Sequence, residues 1–173
     1  PRFIREAVAR YIDRRDAVDG PVAVPADPDA VFLTNGASEG VMFTLEILIS
    51  GPADGVMIPI PQYPLYSAAI KRCGGTQVDY HPDEERGWAL EREILEESLA
   101  AAKARGVTVK AIVVINPANP TGAVLREHSV HEVIDFAEEH GLLIIADEVY
   151  QHNTYGAEFV SFARALGERD VGL

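Results

Sequence analysis

Apolar and polar positions recur along the chain with two periods, one helical and one extended. Apolar residues at helical spacing predict helices at about residues 2–15, 37–49, 65–72, 91–105 and 127–140. Short apolar runs bounded by turn-forming residues predict strands at residues 31–34, 55–60, 76–81, 110–115 and 142–147. Because strands and helices alternate with short connections, we expect an α/β fold: a mainly parallel sheet with helices on both faces.

The last predicted strand ends in an acidic residue. Its continuous apolar run, from Leu142 to Ala146, is typical of a strand buried on both faces of a parallel sheet. Asp147 then lies at the carboxyl end of the strand, the edge where open α/β sheets bind their ligands. An isolated aspartate at a strand end more often caps the next turn, so Asp147 alone does not define a site.

A second polar segment follows the preceding strand. Residues 116–122 read Asn-Pro-Ala-Asn-Pro-Thr-Gly, and the two prolines and the glycine restrict this loop tightly. Because the loop directly follows a buried strand, it places a carboxamide at the same sheet edge as Asp147. The two segments together are a more specific signal than either one alone.

Composition and charge exclude several classes of partner. The chain has 173 residues, 47% of them hydrophobic, which is enough to bury a sizeable core. A formal net charge of -12 argues against a nucleic-acid or anionic-membrane partner. A single cysteine, Cys73, excludes an internal disulfide and a cysteine-based zinc site. No apolar run approaches membrane-spanning length, so no membrane partner is expected.

The start of the second helix offers an anion site. At this N-terminus the backbone N–H groups of Ala37 and Ser38, with the Ser38 hydroxyl, are positioned to bind a phosphate. Ser38 is alternatively a simple helix cap.

Residues 36–40 also match G-x-S-x-G, the nucleophile elbow of α/β-hydrolases. That alternative requires an acid and a histidine on separate loops, whereas Asp147 and His152 share one loop.

Two tyrosines follow the strand at residues 55–60. Tyr63 lies between Pro61 and Pro64, and this rigid placement suits a ring that holds a flat heterocycle. Core filling is the alternative for this side chain. Tyr66 is predicted to be a packing residue.

The sequence Asn-Pro-Ala-Asn-Pro-Thr-Gly followed by Asp-Glu-Val-Tyr resembles the fold-type I aminotransferases, which use pyridoxal phosphate. Residues 58–68, Ile-Pro-Ile-Pro-Gln-Tyr-Pro-Leu-Tyr-Ser-Ala, resemble the alanine aminotransferase branch. The resemblance implies that residues 1–173 are part of the large, cofactor-binding domain. It also implies exchange of an amino group between alanine and 2-oxoglutarate, small-molecule amino acid and 2-oxo acid substrates, and a homodimeric full-length enzyme in the cytoplasm or mitochondria.

The resemblance assigns a role to each candidate residue. Ala37 and Ser38 would bind the cofactor phosphate, Tyr63 would stack on the pyridine ring, and Asn119 would donate to its phenolic oxygen. Asp147 and Tyr150 are the predicted catalytic residues, with Tyr150 also donating to the phenolic oxygen. A carboxylate beside the ring nitrogen favours the protonated ring, which can accept electrons when the substrate loses its α-proton.

Glu148 should point to the opposite face of the strand and is expected to be structural. No metal site is expected, because His128 and His131 have neither an H-E-x-x-H pattern nor a third ligand beside them.

Some functional residues of the resembled family have no match here. Its members carry a lysine that binds the cofactor covalently, a phosphate-binding arginine after it, and a substrate-binding arginine near the C-terminus. Lys71, Lys103 and Lys110 lie on helices or at the start of a strand, away from the expected site. The small domain and the catalytic-lysine region are therefore expected to be absent, and the chain is expected to be a fragment that is inactive alone.

Three alternatives remain at this point. Another fold-type I enzyme, such as a β-lyase or a relative of aminocyclopropane-carboxylate synthase, would share the same motifs. A cofactor-binding module without catalysis would also fit, because every residue identified binds and none reacts. An α/β-hydrolase that uses Ser38 fits least well.

Overall fold

The computed structural model describes residues 1–17 and 20–170. A 3-10 turn at Pro28–Ala30 follows the first helix. The helices and strands, in chain order, are α1 Arg2–Asp16, α2 Ala37–Leu48, β1 Asp54–Pro59, α3 Leu65–Arg72, β2 Thr76–Tyr80, α4 Arg92–Ala104, β3 Thr108–Ile115, α5 Glu127–His140, β4 Leu143–Asp147 and α6 Phe162–Asp170.

The four strands form one parallel sheet in the order β2-β1-β3-β4. Every carboxyl end therefore lies at the same edge of the sheet. The register pairs Ile115 at the end of β3 with Asp147 at the end of β4. The predicted α/β class and the parallel sheet are confirmed.

Helices cover both faces of this sheet, as predicted. On one face α2 and α3 pack against alternate strand residues, in a core that includes Leu45, Val56, Ile58, Tyr66 and Val113. On the other face α4, α5 and α6 pack against the intervening residues, in a core that includes Met57, Leu95, Ile112, Phe136 and Phe162. The two-residue period of β1 and β3 produces this division, because successive side chains point to opposite faces.

The predicted strand at residues 31–34 is wrong. The backbone is extended at Val31, but residues 31–34 pair with no strand. β1 and β3 already have partners on both sides, and residues 31–34 join neither of the edge strands, β2 and β4. Phe32 is 87% exposed as a result.

The expectation that β4 is buried on both faces is also wrong. Leu143 is 49% exposed, and Ala146 is exposed as well. Within residues 1–17 and 20–170, β4 pairs with β3 alone and forms an edge of the sheet. β4 therefore contains more apolar residues than the described part of the chain buries.

Helix α6 was not predicted from the sequence. The Ser161 hydroxyl accepts a hydrogen bond from the Arg164 backbone N–H at 3.0 Å, an N-terminal cap that the sequence does contain. Arg164 and Glu168 form an i,i+4 ion pair at 2.7 Å, and Phe162 and Ala165 are buried. None of the helices in the described ranges is both long and apolar enough to cross a membrane.

Close packing at β1 gives a test of the fold. A Cβ atom on Gly55 would lie 2.5 Å from Val107 Cγ1 and 3.2 Å from Val78 Cγ2, so we expect Gly55→Ala to lower the free energy of unfolding by about 1–3 kcal/mol. The control, Gly51→Ala, meets nothing within 4 Å and should change it by less than about 0.5 kcal/mol. Urea denaturation of both variants measures the difference. Equal stability of the two variants would contradict the packing of β1 against β2 and Val107.

Candidate cofactor-binding site

The carboxyl edge of the sheet gathers the segments that carry the candidate residues. The Asn116 backbone N–H donates to the Asp147 carbonyl at 2.9 Å, and that of Ile60 donates to the Tyr80 carbonyl at 2.9 Å. These bonds extend the ladders beyond the strands themselves. The segments with Tyr63, Asn119 and Tyr150 therefore all leave from one edge, as the rule for parallel sheets predicts.

Asp147 is held by a tyrosine on the α2 and α3 face. The Tyr66 hydroxyl donates to Asp147 Oδ2 at 2.7 Å, and Asp147 Oδ1 accepts from the Val149 backbone N–H at 3.3 Å. Tyr66 is fully buried, and burial, reinforced by the hydrogen bond to Asp147, raises the pKa of its phenol well above the usual range. The phenol therefore remains a proton donor, and it orients the carboxylate. Asp147 also caps its own turn through the bond from Val149, as the alternative reading of this residue predicted.

Tyr66 has a contact with the candidate site that was not predicted from the sequence. It does pack, as predicted, but its hydroxyl also reaches a residue 81 positions further along the chain. The available signal was its place on the first turn of α3, directly after the segment with Tyr63 at the same sheet edge.

One surface depression brings the second helix and the fourth strand together. Ala37, at the start of α2, lines it with Thr44, Tyr66, Asp147 and Gln151. Two of the predicted site residues, Ala37 and Asp147, therefore share one concave surface.

The N-terminus of α2 is open to a ligand. Gly36 is the N-cap residue, with a φ of 83°, and no side chain caps the helix. Ser38 is exposed, and its hydroxyl makes no hydrogen bond within the described residues, so the reading of Ser38 as a helix cap is not supported. Glu39 bonds back to the Asn35 backbone N–H at 2.6 Å. Uncapped amides at a helix N-terminus fit a phosphate group.

The loop after β3 is held by one side-chain and one backbone hydrogen bond. Asn116 is buried, and its Oδ1 accepts from the Leu125 N–H at 2.9 Å. The Gly122 N–H donates to the Ala118 carbonyl at 2.8 Å. Asn119 lines a separate cavity with Tyr80, Trp88 and Leu90 rather than the depression of Asp147. The structure therefore does not bring Asn119 into the same concavity as Ala37 and Asp147.

Tyr63 and Tyr150 both present their rings to the surface. They are 47% and 40% exposed, and in the described part of the chain neither hydroxyl makes a hydrogen bond. Core filling, the alternative considered for Tyr63, does not fit this exposure. The preceding residue, Gln62, donates to Ser67 Oγ at 2.7 Å and ties the segment to α3.

Glu148 points away from Asp147, as the strand pattern predicts. Its Oε1 accepts from the Phe162 backbone N–H at 2.8 Å, and its Oε2 lies 3.5 Å from Arg15 Nη1. Burial raises the pKa of the Glu148 carboxyl, and these two contacts oppose the rise.

The hydrolase alternative lacks its geometry. The His152 ring contacts the Tyr11 hydroxyl, and the Asp147 carboxylate is engaged by Tyr66. Within the described ranges no hydrogen bond joins Ser38 to a histidine. A triad of Ser38, His152 and Asp147 is not assembled.

No lysine or histidine of the described residues lines the depression of Asp147. Lys110 is 3.5 Å from Asp54 at the amino end of the sheet, and Lys71 and Lys103 are exposed in the last turns of α3 and α4. His131 does have acidic neighbours, contrary to the sequence expectation: ligand atoms of Glu127, His131 and Glu168 lie within 4.8 Å of one another. Glu168 is already paired with Arg164 at 2.7 Å.

Comparison with known proteins relates this chain to aminotransferases. The family model described as aminotransferase class I and II matches residues 2–172. A mitochondrial alanine aminotransferase 1 of Arabidopsis thaliana is 46% identical over 98% of this chain and 32% of its own length. Glutamate–glyoxylate aminotransferase 1 of the same plant is 46% identical over 95% of this chain and 34% of its own. Human alanine aminotransferase 1 is 48% identical over 96% of this chain and 34% of its own length. The chain thus spans about a third of the length of these curated relatives.

Solved structures agree with the sequence matches. An alanine aminotransferase from Pyrococcus furiosus superposes with a TM-score of 0.80 at 29% identity, over 95% of this chain and 38% of that one. An aspartate aminotransferase from Thermotoga maritima gives a TM-score of 0.80 at 27% identity, over 95% of this chain and 40% of that one.

The hydrogen bond between Tyr66 and Asp147 can be measured by a double-mutant cycle. Tyr66→Phe removes the donor, and we expect it to lower the free energy of unfolding by about 1–2 kcal/mol. Combined with Asp147→Asn, the two changes should be non-additive by about 1 kcal/mol in urea denaturation. Tyr63→Phe is the control and should add to Asp147→Asn without coupling. Strict additivity for Tyr66 as well would mean that the bond does not form in solution.

Proposed function

The chain belongs to the aminotransferase class I and II family, and on this premise we propose that it forms part of an enzyme that moves an amino group between an amino acid and a 2-oxo acid. The proposed cofactor is pyridoxal phosphate. The observation that carries the proposal is the carboxylate of Asp147, held by Tyr66, in the same depression as the uncapped N-terminus of α2.

Two groups that share the depression suit two parts of the cofactor. The amides of Ala37 and Ser38 bind the phosphate, where the partial positive charge of α2 favours an anion. Asp147 faces the ring nitrogen, and Tyr66 keeps its carboxylate in one orientation. When bound, pyridoxal phosphate supplies a protonated ring that withdraws electrons from the α-carbon of the amino acid.

The remaining candidates contact the ring from the neighbouring segments. Tyr63 stacks on the ring face, which its exposed position at the sheet edge permits. Tyr150 donates its hydroxyl to the phenolic oxygen. Asn119 is assigned the same oxygen, although it lines a separate cavity, so its role rests on the family resemblance rather than on the observed depression.

The proposed substrate pair is alanine and 2-oxoglutarate, with pyruvate and glutamate as products. Alanine aminotransferases from a plant and a mammal are among the relatives at 46–48% identity. Glutamate–glyoxylate aminotransferase 1 matches equally well, at 46%, so glyoxylate is the competing acceptor. Coupled assays with alanine and each 2-oxo acid, and with cystathionine as a β-lyase substrate, separate these possibilities.

We also propose that the chain works within a longer polypeptide. It spans about a third of the length of its relatives, and Lys71, Lys103 and Lys110 lie away from the carboxyl edge. The lysine that binds the cofactor and the arginines that bind phosphate and substrate would then lie in the remaining two thirds. The full-length enzyme is proposed to be a homodimer in the cytoplasm or mitochondria. One of the plant relatives, alanine aminotransferase 1, is named as mitochondrial.

The charge of Asp147 is the first test of this function. In the full-length enzyme Asp147→Asn keeps the shape of the side chain but removes the charge that stabilises the protonated ring, so turnover should fall about 10²-fold or more. Asp79→Asn, at an exposed residue of β2, is the matched control and should leave turnover unchanged. Near-normal turnover of Asp147→Asn with cofactor bound would show that the electron sink does not depend on this carboxylate.

The isolated chain provides the second test. The amides at the start of α2 contribute about 0.3–2 kcal/mol to anion binding, and the chain carries a net charge of -12. We therefore expect residues 1–173 to bind pyridoxal phosphate weakly, to release it on dialysis, and not to transaminate. A full-length protein should retain the cofactor. A one-to-one adduct on Lys71, Lys103 or Lys110 that is trapped by borohydride and accompanied by alanine turnover would contradict the proposal.

A further inference from the structure

The segment that follows β4 carries a proposed catalytic residue but has little regular structure of its own. Residues 148–161 form turns between β4 and α6, with backbone hydrogen bonds from Gln151 N–H to the Glu148 carbonyl at 3.0 Å and from Asn153 N–H to the Tyr150 carbonyl at 2.7 Å. The exposed side chain of Tyr150 makes no hydrogen bond within the described residues. Its position therefore depends on what holds the residues on either side of it.

The guanidinium of Arg15, in the last turn of α1, reaches both sides of Tyr150. Its Nη1 donates to Gln151 Oε1 at 2.9 Å and lies 3.5 Å from Glu148 Oε2. The guanidinium carbon also lies 5.9 Å from the centre of the Phe159 ring, further along the same segment. A residue more than 130 positions earlier in the sequence thus contacts this segment at three points.

Arg15 is itself fixed by a second carboxylate. Its Nε and Nη2 donate to the two oxygens of Asp16, both at 2.7 Å, in a bidentate pair. The side chains of Arg15, Asp16 and Glu148 are only 13%, 7% and 14% exposed. This cluster is much less exposed than a surface pair such as Arg2 and Glu6, at 65% and 39%. Loss of the guanidinium would leave the little-exposed carboxylates of Asp16 and Glu148 without the cation that they share.

We propose that Arg15 is a positioning residue for the cofactor site: it fixes the segment of residues 148–151 and so sets the place of Tyr150. The inference rests on the proposed function, because Tyr150 is assigned to the cofactor there. Arg15 does not line the depression itself and acts through its contacts with Glu148, Gln151 and Phe159. Tyr66 holds Asp147 on one face of the sheet, and Arg15 holds the following residue on the other.

The test compares Arg15→Gln with Arg14→Gln in the full-length protein. Arg14 is the exposed neighbour on the same helix, so its variant makes the same change in charge without reaching the segment. Hydrogen exchange of the cofactor-free protein, followed by mass spectrometry, reports the segment directly and does not depend on activity. Titration with pyridoxal phosphate and steady-state kinetics report the site.

For Arg15→Gln we expect amide exchange in residues 148–161 to be at least about tenfold faster, with exchange in β1 and α4 unchanged. The dissociation constant of pyridoxal phosphate should rise at least about tenfold. Arg15→Lys keeps the charge but loses the planar fork, and it should restore part of the affinity. Arg14→Gln should match the wild-type protein in every measurement.

Three results would overturn the proposal. One is unchanged exchange in residues 148–161 of Arg15→Gln. Another is faster exchange throughout the chain, which would make Arg15 a general stability residue; if Arg15→Gln does not fold, Arg15→Lys is judged by the same two criteria. The third is an equal effect of Arg14→Gln. If the wild-type protein binds no pyridoxal phosphate, the proposed function fails, and the exchange data alone decide whether Arg15 holds the segment.

Discussion

The pairing of β3 with β4 is the constraint on which the candidate site depends. The ladder sets Ile115 opposite Asp147, and the Asn116 backbone N–H extends it to the Asp147 carbonyl at 2.9 Å. Successive strand residues point to opposite faces, so a slip of one residue would exchange the places of Asp147 and Glu148. The register therefore decides which carboxylate meets Tyr66 and the N-terminus of α2.

Two adjacent acids consequently link the site to both layers of the protein. Asp147 accepts from the buried phenol of Tyr66, which belongs to the α2 and α3 core. Glu148 accepts from the Phe162 N–H at the start of α6 and lies beside Arg15 of α1. Because each carboxylate has a partner in a different layer, the end of β4 is fixed from both sides. The contacts of Glu148 and Gln151 also hold the start of the segment that follows β4.

The sequence predicted local structure well and long-range contacts poorly. Helical spacing placed α1, α3 and α5 within one residue of their observed bounds, because the period is a property of the segment itself. The rule for strand ends placed Asp147 and Asn119 at one edge for a similar reason. A strand requires a partner, however, and residues 31–34 have the composition of a strand but pair with no strand of the described sheet. The contacts of Tyr66 with Asp147 and of Arg15 with Gln151 join residues 81 and 136 positions apart, and no local pattern encodes them.

The protonation of the cofactor ring tests the central claim most directly. Pyridoxal phosphate labelled with ¹⁵N in the ring, bound to the full-length enzyme, has a nitrogen chemical shift that distinguishes the protonated from the neutral ring. The wild-type enzyme should show the protonated form, and Asp147→Asn should show the neutral form at the same pH, because the carboxylate that favours the cation has gone. The same chemical shift in both proteins would contradict the assignment of Asp147 to the ring nitrogen.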